Sequence, residues 1–84
     1  MGGESFIFYT ENKQNNSDYL TADQAILLAI ELYPSIFNNY WQTKAKIALY
    51  GLRSNNPDTI YDFYYNKDLF VQWLKLLSQA KYLV

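Results

Sequence analysis

The sequence predicts a mainly α protein, a compact bundle of three to four helices with a short N-terminal strand or arm. Three observations carry that expectation. The stretch TADQAILLAIELY at residues 21–33 opens with helix-capping residues, is followed directly by Pro34, and is almost wholly apolar between. The stretches 35–53 and 67–80 repeat apolar positions at helical spacing. The run SFIFYT at 5–10 is aromatic and β-branched, and too short for a helix.

Size and composition narrow the possibilities. Eighty-four residues make one domain with one modest core. Its expected organisation is an arm and polar loop over 1–19, followed by helices over 20–84. Half of the residues are apolar and 19% are aromatic, too hydrophobic for a disordered tail. A formal charge of −1 gives no electrostatic reason to seek nucleic acid or anionic lipid. There is no cysteine, hence no disulfide, thiolate ligand or thiol nucleophile, and no histidine, the commonest general base and metal ligand. These absences disfavour an enzyme, and no metal or cofactor is expected. No segment approaches the roughly 18 apolar residues of a membrane span, and the start of the chain lacks a signal-peptide pattern. A cytoplasmic location is therefore expected.

Taken in order, the strand at 5–10 needs an edge to pair with. Two partners stand open: the C-terminal KYLV at 81–84, or a second chain. ENKQNNSD at 11–18 is a polar loop. The first helix follows, with Thr21 and Gln24 at capping-box spacing and Leu20 placed to pack on the first turn. Pro34 ends it by pushing Tyr33 out of α geometry. Only Asp23, Gln24 and Glu31 are polar, so cover is expected over about 200° of its circumference. The second helix spans 35–53, starting as late as Asn38 or Asn39. It gathers Ile36, Phe37, Tyr40, Trp41, Ile47, Ala48 and Leu52 on one face. Gly51 on that face would admit a close neighbour or loosen the last turn. Asn56 and Pro57 start a third helix to about residue 65, and Asn66 caps a fourth to about residue 80. That last helix carries a broad stripe of Leu69, Phe70, Trp73, Leu74, Leu76, Leu77 and Ala80.

Four features are candidate sites. Lys44 falls within the apolar face of the second helix. It is either a desolvated lysine of lowered pKa or a stem lying over Trp41 or Tyr40 with its ammonium in water. Asp58 and Asp62, one turn apart, could share a cation, but no third oxygen ligand is evident, and dipole complementation by Asp58 is the simpler reading. Residues 45–64 have the outline of a helix-turn-helix, yet the turn is long and the would-be recognition helix is acidic where a phosphate-lined groove calls for basic residues. The nine tyrosines are the most suggestive feature, because tyrosine offers a large apolar face with a polar tip.

The expected function is a non-enzymatic protein–protein interaction module: a small regulatory, adaptor or inhibitor protein and a homodimer. Its candidate partner-binding residues are Trp41, Lys44, Tyr50, Tyr61 and Tyr65. The alternative is a nucleic-acid-associated regulator with a degenerate helix-turn-helix.

Overall fold

The computed structural model describes residues 7–13 and 17–80. Its order is β1 (Tyr9–Thr10), β2 (Tyr19–Leu20), α1 (Ala22–Leu32), α2 (Tyr40–Lys46), a π-helical turn (Ile47–Gly51), a 3₁₀ helix (Pro57–Asp62), β3 (Tyr64–Asn66) and α3 (Lys67–Ser78). The protein is thus mainly α, with a small antiparallel sheet in the order β1-β3-β2.

Helix starts follow the side chains that satisfy their first amides. At α1 both halves of the capping box are present: Gln24 N donates to Thr21 Oγ1 and Thr21 N to Gln24 Oε1, at 3.3 and 2.9 Å. Asparagine does the same work three more times. Asn39, Asn56 and Asn66 accept from the amides of Gln42, Asp58 and Leu69 at 2.8, 3.1 and 3.0 Å. The second helix therefore begins at the late end of the expected range. Residues 33–39 form a separate connection, in which the amides of Ile36 and Phe37 bond back to Tyr33 O. Lys46 Nζ donates to Ile36 O at 2.7 Å and holds this connection against α2.

The third helix departs from expectation. It is 3₁₀ and stops at Asp62, and Phe63 is already extended (φ −131°, ψ 160°). Tyr64 and Tyr65 are strand residues: Tyr65 pairs with Tyr9 on one side and with Leu20 on the other. An aromatic run suits a pleated, half-buried surface better than a helix, and the central position of β3 satisfies its backbone on both edges. The N-terminal strand consequently has a partner within the chain. KYLV, one of the two pairing partners open from sequence, lies outside the described residues, and so does Tyr82.

The core is built from α1, the α2–π segment, α3 and the sheet. α3 buries Phe70, Trp73, Leu74 and Leu77, a single stripe at i, i+3, i+4 and i+7, while Leu76 at its margin is exposed. α1 buries mainly small residues (Ala22, Ala25 and Ala29 with Ile26) and leaves Leu27 and Leu32 in solvent. Among the described residues, the cover expected around most of α1 is found only along the side that carries its alanines and Ile26.

Phe8, just before β1, ties these parts together. It is fully buried, and its ring centroid lies 4.8 Å from Trp73, 5.6 Å from Phe70 and 6.1 Å from Tyr65. It also lies against Gly51: a Cβ built there would stand 2.8 Å from Phe8 Cζ and 3.2 Å from Trp73 Cζ2. Gly51→Ala is expected to destabilise the fold by about 1–3 kcal/mol through overpacking, read as a lower urea midpoint at unchanged m-value. After the π turn, Leu52 N bonds to Ile47 O and Ser54 N to Ala48 O, which leaves Arg53 at φ 59°, a left-handed conformation usually given to glycine. Arg53→Gly should therefore raise stability by about 0.5–1 kcal/mol in the same measurement.

Candidate partner-binding site

Three short elements bring a continuous set of polar and aromatic side chains to one surface. α2 places Tyr40 and Trp41 in its first turn and Lys44 one turn later, so both rings share a side with the lysine. The 3₁₀ helix has three residues per turn, which sets Tyr61 directly over Asp58. α1 contributes Asp23 from its first turn. The packing of α2 against both other helices closes the set.

Lys44 is its centre. The residue is 6% exposed, and its ammonium lies 2.8 Å from Asp58 Oδ1, 4.7 Å from the Trp41 ring centroid and 4.9 Å from that of Tyr61. Neither expectation from sequence is met in full. The ammonium does lie over Trp41, but the second ring is Tyr61, and the charge is turned to a carboxylate rather than to open water. The Asp58 hydrogen bond holds Lys44 above the usual lysine pKa, outweighing the burial that would lower it, with a smaller contribution from Tyr61. The pairing favours the charged ammonium over the neutral amine. Asp58 is thus paired with Lys44, and among the described residues no group of three or more acidic side chains is placed to hold a metal ion.

A second chain of bonds fixes the rings. The Tyr40 hydroxyl donates to Asp23 Oδ1, and the Tyr40 and Tyr61 hydroxyls stand 3.2 Å apart. The Asp23 bond, followed by the Tyr61 contact, raises the Tyr40 pKa well above the ordinary phenol value. Around this network the apolar surface is open: Trp41 is 66% exposed, Tyr61 49% and Tyr40 39%.

Of the five candidate residues, Trp41, Lys44 and Tyr61 come together. Tyr65 does not belong with them: it is fully buried as the central residue of the sheet, its hydroxyl donating to Ile60 O at 2.7 Å. The error follows directly from reading β3 as helix, since the alternation of a strand turns Tyr65 inward. Tyr50, on the π turn, is half-buried and packs against the core. Sequence reasoning missed Tyr40 and Asp23 as site residues. Their link spans 17 positions, so only the first-turn acid of α1 and the first-turn tyrosine of α2 could have signalled it. The segment that a helix-turn-helix needs as its recognition helix is the six-residue 3₁₀ element carrying Asp58 and Asp62.

No protein-family model, curated protein or solved structure matches the chain. No helix among the described residues is long and apolar enough to cross a membrane.

The Tyr40 network has a pH signature. A phenol whose pKa is raised by folding adds stability that is complete below its unfolded value of about 10 and is lost as pH rises through the folded value. Tyr65, raised chiefly by burial and then by the charges of Asp62 and Tyr9, acts in the same direction. Stability measured by urea unfolding should accordingly fall between pH 9.5 and 11.5 (about the range set by the unfolded phenol), and the fall should be shallower in Tyr40→Phe.

Proposed function

We propose that this chain is a non-enzymatic interaction module, a small regulatory, adaptor or inhibitor protein, which engages another protein through the surface formed by Trp41, Tyr61 and Tyr40. The observation that carries the reading is the exposure of a tryptophan and two tyrosines on a support that is itself tightly bonded. Lys44 and Asp58 brace one side of the rings, and Asp23 braces the other. Side chains fixed before binding lose little further entropy on contact, and large aromatic groups are the ones that anchor interfaces. Lys44 contributes by holding the rings rather than by chemistry of its own.

Self-association in a cytoplasmic setting completes the proposal. Leu27, Leu49 and Leu76 are each about half exposed or more, and burying such side chains against a second copy would remove apolar area that a compact helical chain of this size leaves in water.

Trp41→Ala is the direct test. Because the ring is mostly in solvent, stability should change by no more than about 0.5–1 kcal/mol. Affinity for the partner should fall by about 2 kcal/mol, roughly thirtyfold, as for an interface anchor. Paired pull-downs with wild type and W41A, read by mass spectrometry, should recover a protein with the first and lose it with the second. Recovery of the same proteins by both, or co-purification of a small molecule in place of a protein, would defeat the proposal. Light scattering decides separately whether the chain is a dimer.

A further inference from the structure

We infer that Trp41, Tyr61 and Asp58 form a binding cage for a primary alkylammonium, filled in the free chain by Lys44 and open to exchange with a lysine side chain of the partner. Two aromatic faces and a carboxylate converging on one cation are what recognition of an ammonium group requires, since the rings present negative faces and the carboxylate accepts its N–H. All three are present around a single nitrogen, at 4.7, 4.9 and 2.8 Å.

The walls are far more exposed than the group they hold. The Lys44 side chain is 8% exposed, that of Asp58 71%, while Trp41 and Tyr61 are 66% and 49% exposed. An incoming side chain thus reaches the walls from solvent without unfolding anything. The walls also have supports that do not involve Lys44. Tyr61 is held through its hydroxyl by Tyr40, and Tyr40 by Asp23. The backbone of Asp58 is fixed by the Asn56 cap at the start of its helix, and that of Trp41 by the first turn of α2. Lys44 braces Trp41 and Asp58 in the free chain, and an incoming ammonium seated on the same rings and carboxylate takes over that role.

The hydrogen bond to Asp58 sets the ligand class. A primary ammonium has N–H groups to donate and a quaternary one has none, so the site favours the end of a lysine side chain over a tetraalkylammonium. Lys44, delivered from the same helix at high effective concentration, keeps the cage filled until a partner supplies a competing lysine together with further contacts. The identification of that competitor rests on the proposed interaction surface, but the existence of the cage does not.

The experiment uses n-butylammonium as the probe and the intact chain. In Lys44→Ala, n-butylammonium should bind saturably, quench tryptophan fluorescence and raise the melting temperature, as any ligand specific for the folded state does. Binding to wild type should be weaker by about tenfold or more because Lys44 competes. Tetramethylammonium should bind K44A less well than n-butylammonium, and K44A combined with Tyr61→Leu should lose the response. Wild type provides an independent reading by NMR. The Lys44 ε-methylene signals should be shifted upfield by the two rings and should move toward coil values as excess n-butylammonium is added. Absence of saturable binding to folded K44A, or equal binding to K44A and wild type, overturns the inference. So do Lys44 signals that show no ring shift, or that stay in place under excess probe, and these NMR outcomes decide the matter if K44A does not fold. Loss of the W41A effect in pull-downs alongside intact butylammonium binding would remove the partner reading and leave the cage standing.

Discussion

The contact between Phe8 and Gly51 is the constraint on which the rest of the fold depends. Phe8 belongs to the N-terminal segment, and its ring fills a space bounded by Trp73, Phe70 and Tyr65 and floored by a residue with no side chain. It thereby joins the strand at one end of the chain to the π turn in the middle and to α3 near the other end. The backbone beside it follows suit, with Asn66 N donating to Phe8 O at 2.8 Å and Lys67 N to Asp18 O at 2.7 Å. Strands of two or three residues have little stability alone. They persist here because an aromatic cluster holds β3 between two partners.

The same economy of length shapes the surface. α2 has only seven residues and the 3₁₀ helix six, so neither presents a long stripe, and each delivers two or three side chains at one place. Lys44 is the joint between them. Here the 3₁₀ element passes close enough to give it a carboxylate and a second ring. The result is a charge removed from water yet bonded on several sides, the arrangement that lets a buried ion persist. Trp41, at the outer margin of this joint, lies against the Lys44 ammonium and is mostly exposed to solvent.

Local signals were legible wherever a short-range interaction decided the outcome. Thr21 with Gln24, Pro34, Asn56 with Pro57, and Asn66 all act within a few residues, and the elements they start or stop lie where their chemistry places them. The stripe of α3 was legible as well, because a twelve-residue helix packs as a regular cylinder. Tyr64 and Tyr65 were not. Their aromatic character fits a helix face or a strand equally well over so short a run, and the choice was made by Tyr9 and Leu20, more than 40 positions away. In the candidate site, Trp41, Lys44 and Tyr61 could be named from residue type and register, whereas Tyr65 was misplaced by that same ambiguity.

From its sequence alone this chain determines where its helices begin, that Lys44 falls out of step with the apolar face around it, and that aromatic surface is plentiful. These properties depend on neighbours within one or two turns. Only the tertiary structure decided that Tyr65 is buried at the centre of a sheet, that Tyr40 reaches Asp23, and that Asp58 and Tyr61 meet Lys44. Each of those outcomes joins segments far apart in sequence. Their geometry is set by how closely packed elements approach, which no periodicity along the chain encodes.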